Sequence, residues 1–169
     1  MKSQTLSFAD LYGGKICAAL DRQHPRDLFD IRLLLQNEGI TEDIKNAFIF
    51  YLISHNRSII ELLDPNYKDI QKPFEKELEG MPTIKVSLEE LLETRKALII
   101  RLGKILNNDD KKFLISINSG DPVWDSYSFP KIKNFPSIKW KLLNINKVKK
   151  SNPAKHKKLF QKLANYFSK

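Results

Sequence analysis

The chain has 169 residues, 41% of them hydrophobic, and a single cysteine; this is enough for one domain with a real core, or one plus a small appendage, and excludes a disulfide framework within the chain. Of the basic residues, 12 lysines fall in 129–169 with no acid beside them, leaving 17 Lys and Arg against 20 Asp and Glu in 1–128, so a near-neutral body carries a strongly basic end. No apolar run approaches the ~20 residues that span a bilayer, and the opening MKSQTLSFAD lacks the apolar stretch of a secretory signal, so the cytoplasm is the expected compartment.

The first predicted helix covers 10–20, with Leu11, Ile16, Ala19 and Leu20 on its apolar side. Asp21-Arg22-Gln23-His24-Pro25 interrupts that pattern, and Pro25 suits the first position of a second helix, where its missing N–H has no partner to lose. Leu28, Ile31, Leu34 and Leu35 then recur at helical spacing, so the second helix is amphipathic. Gly39 closes it, and Thr41 caps a third that buries Ile44, Ala47, Phe48, Tyr51 and Leu52. A polar corner, Ser54-His55-Asn56-Arg57, precedes a short helix starting at Ser58. Residues 67–78 read as another helix, with Pro73 a candidate kink. After Gly80-Met81-Pro82, the alternation of Thr83-Ile84-Lys85-Val86 fits a strand or extended coil. Ser87 and Glu90 make a capping box for the longest helix, over 88–106, and a further helix runs from 107–110 to Ile117. The remainder mixes Trp124, Phe135, Trp140 and prolines with lysines, and holds two helices over 137–146 and 153–167. The expected fold is mainly α with at most one short strand. It divides into a helical domain over 1–122 and a basic, aromatic-containing helical segment over 123–169 packed on it.

Chemistry concentrates at the first corner. Asp27 and Asp30 are three apart, so both carboxylates share one side of the second helix; Arg26 reaches Asp30 at i,i+4, and Lys15 projects from the preceding helix. Spacing alone leaves two readings open, a structural corner held by ion pairs and a chemical site, because ion-pair networks imitate functional ones. Elsewhere the signals are bland. Gly13-Gly14-Lys15 lacks the earlier glycine and the following Ser or Thr of a phosphate loop. The acid pairs Glu89-Glu90 and Asp109-Asp110 point to different sides of their helices and read as solvated surface. Cys17 sits among Ile16, Ala18 and Ala19 as a small core residue. The three histidines show no metal-ligand spacing, and no metal site is expected in the chain.

The run Leu6-Ser7-Phe8-Ala9-Asp10-Leu11-Tyr12-Gly13-Gly14-Lys15-Ile16-Cys17-Ala18-Ala19-Leu20-Asp21-Arg22, followed by Arg26-Asp27-Leu28-Phe29-Asp30, resembles the AbiEii/AbiGii toxin family, nucleotidyltransferase-like toxins of type IV toxin–antitoxin systems. Lys15, Leu20, Arg22, Arg26, Asp27 and Asp30 match its K-x-x-A-L, basic, R-D-x-x-D pattern, and the tract from Pro136 to Asn144 looks typical of one subgroup. The resemblance implies that Lys15 contacts the phosphates of an incoming nucleotide. Asp27 would then be the catalytic-site carboxylate, orienting that lysine or activating an acceptor hydroxyl, with Arg26 and Asp30 supporting them. It implies Mg²⁺ and a nucleoside triphosphate for a complete family member, held by a Gly-Ser…Asp-x-Asp element that occurs nowhere in 1–169. The chain thus resembles the C-terminal part of such a toxin, as a truncated gene, a cloned fragment or half of a split enzyme, and is expected to be inactive alone. Lys15 and Asp27 are expected to approach each other across the corner, on a concave side open to solvent.

Three functions follow. The first is the helical part of a nucleotidyltransferase toxin that transfers a nucleotide to RNA or another acceptor. The second is a nucleic-acid-binding module using Lys139, Lys141, Lys155, Lys157 and Lys158 beside Trp140, Phe135, Phe160 and Tyr166, with a tRNA-like acceptor. The third is a helical surface that a cognate antitoxin covers.

Overall fold

Ser7 turns the extended chain into the first helix by accepting the N–H of Asp10, and the same local logic recurs along the molecule. A computed structural model describes residues 6–78, 85–127 and 130–168. Among them are nine α-helices: α1 Phe8–Arg22, α2 Pro25–Gln36, α3 Glu42–Ser54, α4 Ile59–Leu63, α5 Gln71–Glu77, α6 Leu88–Ile105, α7 Asn108–Ser119, α8 Pro136–Ser151 and α9 Pro153–Phe167. Two short 3₁₀ turns, Trp124–Ser126 and Pro130–Asn134, lie between α7 and α8. No strand occurs among the described residues, so the fold is mainly α. Of the strand candidate at 83–86, Thr83 and Ile84 lie outside the described residues, and Lys85 and Val86 take no regular structure.

The centre of the molecule is the packing of α1 along α3. Gly13 makes it possible: a Cβ there would stand 2.7 Å from the carbonyl carbon and Cβ of Ala47. Around this seam one apolar core gathers Ile16 and Leu20 of α1, Leu28 and Ile31 of α2, and Phe48 and Leu52 of α3. Leu98 of α6 and Phe113 of α7 join it, and so do Ile138 of α8 and Leu163 of α9. Burial of this area is the main stabilising force. The 123–169 segment is fastened by Tyr127, which stacks on Phe113 at 4.6 Å and donates its hydroxyl to the Asn46 carbonyl at 2.9 Å.

Four local expectations are corrected. The helix expected over 67–78 begins only at Gln71, because the backbone before it is held in other bonds. The Lys68 N–H donates to Gln23 Oε1 at 3.0 Å, and the Asn66 and Lys68 carbonyls accept from Gln23 Nε2 and Arg95 Nη1 at 2.8 Å each. Pro73 then lies in the first turn of α5, where its missing N–H breaks no helical bond and forces no kink. Asp110 is not solvated: it is 8% exposed, accepts the Asn107 N–H at 3.0 Å, and pairs with Lys45 at 2.8 Å. Burial alone would lower the Lys45 pKa, but its bonds to Asp110 and Glu42 outweigh that and hold the ammonium charged. Finally, α8 continues past Asn146 to Ser151, since nothing before Pro153 stops it.

Candidate functional site

Two residues, Gln23 and His24, join α1 to α2. Gln23 adopts a left-handed backbone (φ 55°) and accepts the cost because its buried side chain is fully used, taking Arg95 Nη1 and Lys68 N–H on its oxygen and giving its amide to Asn66. His24 caps α2 by accepting the Arg26 N–H on Nδ1, and Pro25 opens the helix. The corner is therefore fixed by buried polar bonds, and the charges on α1 and α2 face each other from rigid supports.

Those charges pair differently from the expectation. Lys15 Nζ bonds Asp30 Oδ2, while Arg22 Nη2 bonds Asp27 Oδ1 at 2.8 Å. The reason is register: Arg22 lies at the corner opposite the first turn of α2, and Lys15, two turns further back, meets the carboxylate one turn further on. Lys15 thus reaches Asp30, not Asp27. Arg26 does not bond Asp30 either; its Nε points to Glu77 Oε2 at 3.8 Å, beside the His24 Nε2–Glu77 contact of 3.2 Å. The Lys15 and Asp30 side chains are 30% and 34% exposed, so solvent reaches that pair, whereas the Asp27 side chain is 12% exposed. Asp27 Oδ2 is buried with no hydrogen-bond partner, an oxygen left free to accept a donor.

Cys17 is buried, with its Sγ 3.9 Å from the Phe48 carbonyl, and burial pushes its thiol pKa far up, so it is no nucleophile. Among the described residues no group of three or more His, Cys, Asp or Glu side chains is placed to hold a metal ion. The two corner carboxylates are each neutralised by a cation, so the corner by itself does not fit Mg²⁺.

Comparison with protein families matches residues 2–142 to the family described as nucleotidyl transferase AbiEii toxin, type IV TA system. The chain belongs to the AbiEii family. The matched span contains the whole α1–α2 corner and ends within α8. No curated protein and no solved structure matches the chain. No helix among the described residues is long and apolar enough to cross a membrane.

Of the lysines expected on a nucleic-acid surface, Lys139, Lys155, Lys157 and Lys158 are exposed. Lys141 is not: it is 6% exposed and its ammonium donates to the carbonyl oxygens of His55, at 2.7 Å, and Arg57. Burial lowers its pKa to about 8, with Glu61 pulling the other way. The sequence carried a signal for this, since Ile138, Lys141 and Ile145 share one side of α8. Three polar residues that organise the molecule, Gln23, Arg95 and Asn118, had no sequence signal beyond their position on or beside apolar stripes. Arg95 is buried, lies over the Tyr67 ring at 4.4 Å, and is shifted down in pKa by burial.

Proposed function

We propose that this chain supplies the helical side of a nucleotidyltransferase toxin and that the α1–α2 corner is where it meets the nucleotide. One observation carries the reading: the family match includes the corner, and there Asp27 keeps a buried oxygen without a partner while Lys15 sits on a solvent-reached ion pair. In this reading Lys15 exchanges Asp30 for a nucleotide phosphate, acting as a point charge. Asp27, held by Arg22 through Oδ1, keeps Oδ2 buried at rest, and an acceptor hydroxyl or the displaced lysine reaches it once the Lys15–Asp30 pair opens. Asp30 holds Lys15 at rest, and Arg26, turned toward Glu77, supports the corner from α2. Mg²⁺ and the nucleoside triphosphate belong to this reading as ligands of a metal-holding element such as Gly-Ser…Asp-x-Asp, so the chain alone transfers nothing. A cognate antitoxin is the expected protein partner.

The test is nucleotide binding by the chain itself. Asp30→Asn frees Lys15 and should tighten nucleoside triphosphate binding several-fold. Lys15→Met should weaken it by about tenfold, the size of a charged contact of about 1.4 kcal/mol. Binding indifferent to both changes, or Mg²⁺-dependent transfer to tRNA by the chain alone that Asp27→Asn abolishes, would overturn the reading.

A second reading has its own observation. Trp140 is 64% exposed on α8, next to exposed Lys139, and Leu143 on the same side is 59% exposed. A solvent-facing indole beside Lys139 suits stacking and backbone contact with a single-stranded RNA, which is compatible with an RNA acceptor.

A further inference from the structure

A cavity of about 360 Å³ opens where the turn before α4 meets α7, α8 and α9, remote in sequence from the corner and sharing no residue with it. Its polar wall includes Arg57, Glu61, Asn118, Lys141, Lys155 and His156, and its apolar wall is Ile145, Val148 and Leu159. We propose that this cavity binds a phosphomonoester, with the phosphoryl group between Lys141 and Asn118 and the organic body against the apolar wall.

The polar groups ask for an acceptor-only ligand. Asn118 is 6% exposed, and its side-chain Nδ2 is buried without any partner, although an unmade buried bond costs about 1–3 kcal/mol. Its backbone carbonyl is already engaged by His156 Nε2 at 3.0 Å, which fixes that ring at the cavity wall. Lys141, equally buried, gives two of its N–H groups to the carbonyl oxygens of His55 and Arg57 and retains a third. Lys155 adds positive charge from α9 and is exposed at the mouth; Arg57 is exposed there too, with its guanidinium paired to Asp21 Oδ1 at 2.8 Å. Glu61 also lines the wall; its Oε2 accepts the Ser58 N–H at 3.2 Å. A phosphate dianion offers several acceptor oxygens and the matching charge, which neither a cation nor an uncharged donor does. The volume lies in the range of small-molecule sites and exceeds what a bare phosphate fills, which is why an organic body is included.

Charge coupling gives a readout that packing alone does not. The ionisable groups facing Lys141 are His55, Arg57, Glu61, Lys155 and His156. The free ammonium gives up its proton near pH 8, and a bound anion holds that proton on. Affinity for the anion should therefore fall by roughly tenfold between about pH 7 and about pH 9, with uptake of a proton on binding at the upper end.

The experiment is a titration of the isotope-labelled full chain with inorganic phosphate, AMP, adenosine and a short RNA carrying or lacking a 5′-phosphate, following the Asn118 side-chain amide by NMR. Phosphate and AMP should move that signal saturably, and adenosine should not. Lys155→Gln, at an exposed position, should weaken AMP several-fold, and Asn118→Leu about tenfold. Tighter binding of 5′-phosphorylated RNA than of AMP would identify an RNA end as the source of the phosphate, and the reverse order a free metabolite. An unmoved Asn118 amide, or AMP binding unchanged by Lys155→Gln and by pH, would overturn the proposal. Because Lys15→Met leaves this cavity untouched, its effect on nucleotide binding at the corner is read separately.

Discussion

Replacing Lys141 by methionine tests whether a buried ammonium on α8 is under strain from desolvation. In the folded chain the side chain is 6% exposed and burial lowers its pKa to about 8, against an ordinary 10.5. Between those values the unfolded chain holds a proton that the folded chain has released, so the Lys141 contribution to stability rises with pH. Each pH unit in that window is worth about 1.4 kcal/mol, so the full rise is about 3 kcal/mol. Below about pH 8 both states are protonated and the whole desolvation penalty stands. The methionine variant removes that penalty but leaves the His55 and Arg57 carbonyls without their donor, a loss of about 1–3 kcal/mol for each. At pH 7 these effects are of similar size, and wild type and variant should differ little. As pH rises the neutral amine still has two N–H groups for the two carbonyls, the penalty disappears, and wild type becomes the more stable protein. Urea unfolding of both proteins at intervals from about pH 7 to about pH 10.5 gives the difference directly, and every other titration cancels within it. A difference that stays flat across the window would show an ordinary Lys141 pKa, and one that shifts in favour of the variant would show carbonyls holding the charged form. Either result refutes the desolvation argument.

The neighbouring glycines of α1 should respond in opposite senses. Gly13→Ala places a methyl 2.7–2.8 Å from the α3 backbone and should destabilise by about 1–3 kcal/mol. Gly14→Ala meets only the Tyr51 ring at 3.6 Å and should gain up to about 1 kcal/mol of helix propensity; thermal unfolding of the two variants compares them, and equal effects would contradict the close α1–α3 approach. For the basic surface, Lys139, Lys157 and Lys158 are exposed and lie outside the cavity. Their joint replacement by Gln should flatten the salt dependence of single-stranded RNA binding, whose log–log slope is roughly −0.7 per phosphate neutralised, while leaving the unfolding midpoint in place. Binding insensitive to both salt and the triple change would remove the RNA-track reading.

What the sequence made legible were features that act locally. Helix starts were readable because the cap residue and its partner lie three positions apart, as at Ser87–Glu90, where the structure shows both bonds of the box. The apolar sides were readable because helical periodicity reports burial whatever the partner is; Leu28, Ile31 and Leu34 are all fully buried. The α5 start was not readable, because residues 66–70 are kept from helix by Gln23 and Arg95, which lie 43 and 27 positions away along the bonds they make. The burial of Asp110 was hidden for the same reason, since its partner Lys45 comes from another helix. Intrinsic helix preference gives way wherever such tertiary hydrogen bonds compete for the backbone.

The corner illustrates the boundary between composition and geometry. Sequence spacing brought Lys15, Arg26, Asp27 and Asp30 to one place; the structure keeps Lys15, Asp27 and Asp30 there, adds Arg22 and turns Arg26 toward Glu77. Which cation meets which carboxylate depended on the register of α1 against α2, set by Gln23 and by the Gly13 contact with α3, neither of which carries charge. In the proposed reading this pairing matters, because a lysine held by Asp30 at a solvent-reached site is the one a phosphate would draw off. Asp27 stays pinned at the corner by Arg22 through Oδ1, with Oδ2 buried beside it. A direct Lys15–Asp27 pair would have bound the two proposed site residues to each other, and nucleotide binding would then need to break it. The observed pairing leaves Asp27 Oδ2 free from the start. That is why Asp30→Asn, a change at neither proposed site residue, is the variant expected to strengthen nucleotide binding.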